Sequence, residues 1–283
     1  MNYRHAYHAG NFADVMKHAV LARIVDYLKR KDAAFRVIDT HAGVGLYDLA
    51  STESAKTGEW MSGIGRMLGA DLSGEARTLL APLLGVVREH LREGRLAAYP
   101  GSPLIVRRML RKQDRLSAFE LHEADHVALA ALFAGDFQVR VTHLDGWLVP
   151  GAHLPPKEKR GLVLIDPPFE KDGEFDRLVE ALEKGHRRWP GGMFCLWYPL
   201  KRGNEAEQFV ASLKRSGPPD LVRIELDLGP GEGPVQGLSG SGLIVKNPPY
   251  VLEAEMKAIM PELARLMGRG DKAGWRFERL TAE

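Results

Sequence analysis

Between residues 11 and 31 the apolar positions Met16, Val20, Ile24, Tyr27 and Leu28 recur at spacings of three and four. That period predicts an amphipathic helix turning one stripe toward a core. Asp14 falls in its first turn, where a carboxylate suits the positive end of the helix dipole. Residues 35–39 (FRVID) form a short β-prone run, halted by His41-Ala42-Gly43-Val44-Gly45, which predicts a strand ending in a glycine loop. Strand-like runs recur at 116–121, 137–142, 161–165, 193–198, 221–228 and 242–246, seven strands in all. Helical periodicity fills 103–110, 125–133, 174–187 and 205–214 between them, and 251–267 after the last. Such alternation predicts an α/β fold with a mostly parallel, doubly wound sheet covered on both faces. Gly-, Pro- and Ser-rich chain joins the last two runs, too little for a crossover helix, so they should end the sheet as an antiparallel hairpin.

The pattern changes between 50 and 98. Helices at 56–67 and 75–91 flank a Gly/Asp/Ser break, with no strand candidate. This predicts a small inserted helical subdomain, residues 51–98, in a core built from 1–50 and 99–283. Composition narrows the class: 45 % hydrophobic and 27 % charged is the balance of a globular chain and excludes a disordered or fibrous one. A formal net charge of +2 permits a nucleic-acid partner without demanding one. The one cysteine, Cys195, excludes a disulfide framework and a Cys-rich metal site and fits the reducing cytoplasm. No apolar leader opens the sequence and no run approaches the roughly 20 residues of a membrane span, so neither secretion nor membrane insertion is expected.

Two strand ends carry candidate chemistry. In Asp39-Thr40-His41-Ala42-Gly43-Val44-Gly45 the glycines let the backbone approach a nucleoside at the carboxyl end of the first strand, where open α/β sheets bind ligands. His41 stands where the general pattern of S-adenosylmethionine-dependent methyltransferases has its first glycine, so a plain glycine-rich turn stays open at this point. Asp166-Pro167-Pro168-Phe169 is more informative. The Asp166 carboxylate and the Pro167 carbonyl can both accept hydrogen bonds from a planar exocyclic amine, drawing its nitrogen out of conjugation, while Phe169 stacks on the base. The prolines stiffen the turn so that both acceptors converge. Asn247-Pro248-Pro249-Tyr250 fits the same pattern, but on strand order Asp166 ends the fourth strand and Asn247 the seventh. Asp166 is therefore the expected catalytic residue.

Weaker signals surround these. Glu120, at the end of the second strand, is placed to accept from both ribose hydroxyls of a nucleoside, and Asp145-Gly146 after the third suits an adenine edge. Successive strand ends thus carry Asp39, Glu120, Asp145 and Asp166 in one row. His122-Glu123-Ala124-Asp125-His126 spells a zinc-protease motif, but it begins at a strand end and lacks a third ligand, so no metal is expected. The opening segment, Tyr3 to Asn11, mixes aromatics with donors and could order over a nucleotide, or simply fray in solvent. Basic pairs occur at Arg107-Arg108, Arg111-Lys112, Arg187-Arg188 and Lys201-Arg202, each of which is a phosphate site or a solvated face.

These segments together resemble the RlmJ family of bacterial large-subunit ribosomal RNA adenine-N6 methyltransferases. The match runs in order through Tyr3-Arg4-His5, His8-Ala9-Gly10-Asn11, Ala13-Asp14, Lys17-His18, Asp39-Thr40-His41-Ala42-Gly43, Gly101-Ser102-Pro103, Glu120-Leu121-His122, Asp145-Gly146 and Asp166-Pro167-Pro168. The resemblance implies a Rossmann-like class I fold with a helical insert, S-adenosylmethionine as donor and an adenine of 23S rRNA as acceptor. It also implies that His18, His41, Ser102, Glu120, Asp145, Gly146 and Asp166 contact the cofactor, with Lys17 and Gly43 of the matched segments beside them. Asp166 would do the chemistry with Pro167 and Phe169, and Tyr3 would meet the RNA. His41 in place of glycine is what this family has. Phe169 stands where many amine methylases carry Tyr, so stacking survives and a hydroxyl contact is lost.

The expected reaction is direct methyl transfer to N6 of adenine by a cytoplasmic monomer. Methylation at pyrimidine C5 would need a nucleophilic cysteine beside the base, and Cys195 lies in an apolar strand. The alternatives are a DNA adenine-N6 methyltransferase, a zinc hydrolase using residues 122–126, and a non-catalytic RNA-binding module.

Overall fold

The computed structural model describes residues 7–229 and 238–282. Its central sheet has eight strands: β1 (Arg36–Asp39), β2 (Arg115–Glu120), β3 (Val139–His143), β4 (Gly161–Ile165), β5 (Met193–Leu200), β6 (Leu221–Asp227), β7 (Gly240–Lys246) and β8 (Gly274–Arg279). Their spatial order is β8-β6-β7-β5-β4-β1-β2-β3, with β1 to β5 parallel and β7 antiparallel to both β5 and β6. The count of seven is corrected by β8, which pairs antiparallel with β6 and takes the edge. Its apolar signal is confined to Trp275 and Phe277, alternating with Arg276 and Glu278, the pattern of a half-solvated, charged edge strand. The final hairpin also does not end the sheet: β7 slots between β5 and β6, and β8 closes that side.

Among the described residues there are ten α-helices: α1 (Phe12–Leu28), α2 (Thr52–Thr57), α3 (Arg66–Gly69), α4 (Gly74–Arg88), α5 (Ser102–Met109), α6 (Glu123–Leu132), α7 (Val149–Ala152), α8 (Glu174–Arg188), α9 (Glu205–Ser216) and α10 (Leu252–Met267). The two-residue period of the strands sorts the core. Val37, Leu162 and Leu164 pack with α1, α5 and α10 on one face, and Ile38, Val163 and Ile165 with α7, α8 and α9 on the other. None of these helices is long and apolar enough to cross a membrane.

Two elements depart from their sequence pattern. α1 is not an amphipathic surface helix: it is buried almost all round, with Asp14, Lys17, His18 and Arg23 inside. It lies against the sheet on one side and against α4, α5, α10 and the π turn Met61–Gly65 on the others, so its polar residues find partners within the protein. Arg23, for example, makes a bidentate pair with Glu255 of α10, at 2.8 and 3.0 Å. The second departure is the expected helix at 56–67, which breaks into α2, the π turn and α3 at Gly58 and Gly63. Gly63 has a reason to be glycine: a Cβ there would sit 2.3 Å from the Gly10 carbonyl. Strands also occur in this stretch, against expectation, as short pairs of Leu91–Arg92 with Arg95–Leu96 and of Leu46–Asp48 with Ala98–Pro100.

Candidate active site

Strand register brings the row of acidic strand ends together. Asp39 of β1 lies level with Ala118 of β2 and Leu164 of β4, so Glu120 and Asp166 each stand two residues beyond it, about 7 Å along the strands. The offset is even, so the side chains leave the sheet on the same face. Asp145 follows β3, whose His143 is level with Glu120. A cavity of about 920 Å³ opens along this edge, lined by Lys17, His18, His41, Gly43, Ser102, Glu120, Asp145, Gly146, Asp166, Pro167 and Phe169. Every expected site residue within the described chain therefore borders one cavity. Tyr3 lies outside the described residues.

Local hydrogen bonds show how each group is held. The Glu120 carboxylate accepts from the backbone N–H of Gly43 at 2.8 Å and of His122 at 2.7 Å. Gly43 is in the left-handed region (φ +61°), a conformation that makes glycine the fitting residue in this loop. The Thr40 hydroxyl donates to the Leu164 carbonyl at 3.0 Å and so accepts from His41 Nδ1–H at 2.8 Å. Burial pushes the His41 imidazole down to about 4, so the ring is neutral and keeps Nε2 as an acceptor. Gly146 packs so closely under Thr40 that a Cβ would lie 2.1 Å from its carbonyl. Asp145 caps the short 3-10 turn behind it by accepting from Trp147 N–H at 3.0 Å.

Lys17, expected among the cofactor contacts, borders the cavity and is also paired within the protein. Its ammonium lies 2.5 Å from Asp166 Oδ2 and 2.8 Å from Asp14 Oδ1. Burial alone would lower its affinity for a proton, but the two carboxylates outweigh burial and hold it above the usual lysine range. Asp14 is fixed in turn by Gly10 N–H at 2.9 Å, and Asn11 caps α1 by accepting from Ala13 and Asp14 N–H. His18 reaches the buried Tyr99 hydroxyl at 2.7 Å. Phe169 sits at φ +53°, its ring edge-on to Phe175 and Trp197. A bulky residue in this region is strained, and the strain here lies in the Asp166 turn itself.

Several neighbours escaped the sequence reading. Glu59 lines the cavity from the segment between α2 and the π turn, where it accepts from Asn11 Nδ2 at 2.9 Å and lies 3.0 Å from His8 Nδ1. Trp147 packs edge-on to His41 and carries Arg177 of α8 over its ring at 4.5 Å. Only the fold brings Glu59 and Arg177 here; Trp147, next to Gly146, was the one with a positional hint.

The rival motifs are placed elsewhere. Because β7 runs antiparallel, Asn247 emerges at the amino edge of the parallel strands, beside the start of β5, where its Nδ2 donates to the carbonyls of Pro190 (2.9 Å) and Gly192 (2.7 Å). Asn247→Ala should therefore leave the methyl-transfer rate within about twofold while lowering stability by about 1 kcal/mol for the lost hydrogen bonds, read by steady-state kinetics and denaturant melts. His122 precedes α6 in an extended conformation, so His122 and His126 do not share a helical face, and His126 stacks instead on His143 at 4.8 Å. Cys195 is buried in β5 and burial pushes its thiol up to about 12, which leaves no thiolate for covalent attack.

Asp39 is the most perturbed acid of the row. Burial raises its carboxyl to about 7 against the opposing hydrogen bond from Ser102, 2.6 Å from Oδ2, and Oδ1 has no hydrogen-bond partner among the described residues. An unfolded Asp titrates near 3.9, so folding favours the protonated form; its contribution is complete below about pH 4 and is lost as the pH rises through about 7. The melting temperature of the free protein should thus fall more steeply between pH 4 and 7 in the wild type than in Asp39→Asn. Parallel curves would contradict this.

A mostly parallel α/β sheet with acids on successive carboxyl ends beside a glycine loop is the frame of a nucleoside-cofactor enzyme, and the family match makes it an S-adenosylmethionine-dependent methyltransferase. Residues 32–281 match the family described as "Ribosomal RNA large subunit methyltransferase D, RlmJ", and the chain belongs to that family. Two relatives named "Ribosomal RNA large subunit methyltransferase J" are each 40% identical to it. The Haemophilus influenzae protein aligns over 100% of both chains, and the Escherichia coli protein over 93% of this chain and 92% of its own. A crystal structure of a Legionella pneumophila protein superposes with a TM-score of 0.86 at 34% identity, covering 96% of this chain and 98% of that one.

Proposed function

We propose that the protein methylates N6 of an adenine in large-subunit (23S) ribosomal RNA, with S-adenosylmethionine as methyl donor. The observation that carries this reading is the Asp166-Pro167-Pro168-Phe169 turn, which ends β4 beside the glycine loop of β1 and lines the same cavity as Glu120, Asp145 and His41.

The residues present fit the cofactor. Glu120 has lone pairs left after its two backbone bonds and suits the ribose hydroxyls. Asp145 and Gly146 suit the adenine edge, while the unpartnered oxygen of Asp39, with Ser102, His18 and the neutral His41, suits the polar methionine end. When bound, S-adenosylmethionine supplies the electrophilic methyl group. The chain's own contribution is to hold the acceptor. The Asp166 carboxylate and the Pro167 carbonyl accept hydrogen bonds from the two amine hydrogens and aim the nitrogen lone pair, the proton that the nitrogen sheds on methylation passes by way of Asp166 to solvent, and the Phe169 ring provides a stacking surface. Lys17 keeps a cation against Asp166 and ties its position to α1. No covalent intermediate on the protein is required.

The two relatives carry ribosomal RNA in their names, which supports an rRNA acceptor; a cytoplasmic monomer suffices for every role above. Residues 51–98 are proposed as a helical insert: the chain enters and leaves it through paired residues, Asp48 opposite Ala98, although its apolar side chains join the main core. Incubation with methyl-labelled cofactor and, in parallel, unmodified large-subunit rRNA, duplex DNA and single-stranded DNA tests the reading. Label should enter the rRNA, and transfer to DNA alone would overturn it.

A further inference from the structure

Three of the four basic pairs of the sequence hold at least one ion pair within the described residues. Arg107 pairs with Asp136, Arg108 with Glu89 at 3.2 Å, Arg111 with Asp114 at 2.8 Å and Arg187 with Glu183 at 3.9 Å. Lys201 and Arg202 differ. They follow β5 directly, are exposed, border the active-site cavity, and have no carboxylate within ion-pair distance among the described residues. Arg269, just after α10, is exposed on the same cavity and lies near the Leu238 carbonyl at 3.5 Å. β5 links this cluster to the base slot: Trp197 touches Phe169, and Lys201 follows four residues on, roughly 13 Å further along an extended chain.

Charge divides the cavity. Glu120 and Asp145 line the side toward β2 and β3, where Arg177 lies 3.8 Å from Asp145, while Lys201, Arg202 and Arg269 line the side beyond β5. A phosphodiester chain is repelled from the first side and drawn to the second. We propose that Lys201, Arg202 and Arg269 hold backbone phosphates of the RNA strand next to the target nucleotide. They fix its register while Asp166 and Phe169 handle the base. The proposal deepens the rRNA reading and rests on it.

The test is the salt dependence of RNA binding by the full chain, measured on an unmodified large-subunit rRNA fragment. Each phosphate contact on a single strand contributes about 0.7 to the slope of log K against log salt, so Lys201→Gln/Arg202→Gln/Arg269→Gln should flatten it by about two and weaken binding roughly 10- to 100-fold near 0.1 M salt. S-adenosylmethionine titration and the melting temperature should stay as in the wild type, because the three side chains are exposed. Lys184→Gln/Arg187→Gln, on the outer side of α8, should keep the wild-type slope. An unchanged slope in the triple variant, with or without an affinity loss, overturns the proposal alone. A wild type that neither binds nor methylates rRNA overturns the rRNA reading and the proposal with it.

Discussion

Asp166→Ala should lower kcat for methyl transfer by about a thousandfold, the scale expected when a positioned proton-accepting group is lost from a reacting nitrogen. The carboxylate ends β4 at the level set by its pairing with β1, and Lys17 holds it at 2.5 Å. In the variant the Pro167 carbonyl remains as an acceptor, but the amine loses the charged partner that aims its lone pair. The cofactor Kd should change far less, because Glu120, Asp145, Gly146, Ser102 and His41 are untouched. Single-turnover rates beside cofactor titrations separate the two effects. A parallel loss of cofactor binding and rate would make Asp166 a binding residue only.

Lys17→Met should be the most destabilising change at the site. Lys17 lies between Asp14 and Asp166, with all three side chains largely or wholly out of solvent. Removing the cation leaves two neighbouring carboxylates with no compensating charge, and breaking a buried pair in this way costs about 3–5 kcal/mol. For a chain of this size that lowers Tm by about 10 °C. Asp14→Asn/Lys17→Met removes one of the stranded carboxylates and should recover part of the loss. A Lys17→Met protein as stable as the wild type would show that the ion pair contributes little.

The parallel half of the sheet was legible because its strands are short apolar runs ending in residues that cannot continue a strand: Asp39 before the glycine loop, Asp166 before two prolines. Position along the chain also separated Asp166 from Asn247, and the structure adds why: β7 is antiparallel, so the second motif emerges at the opposite edge. The misses have equally specific causes. β8 has only Trp275 and Phe277 to mark it among Arg276, Glu278 and Arg279, too short an apolar signal to separate an edge strand from a charged tail. The partner of Lys17 was invisible because Asp166 lies 149 residues away, joined to it only by the packing of α1 on the sheet. Glu59 reaches the cavity through the close approach of Gly63 to Gly10, a contact with no local signature. Pattern reading thus finds groups that sit at the ends of regular elements and misses those that tertiary packing delivers.

The most direct test of the account is the identity of the methylated nucleoside. Unmodified large-subunit rRNA is incubated with labelled S-adenosylmethionine and the wild-type protein, digested to nucleosides and separated by mass spectrometry. The account predicts label in N6-methyladenosine. Label in a ribose-methylated nucleoside or in a C5-methylated pyrimidine would contradict it, because neither product uses the amine-holding turn at Asp166.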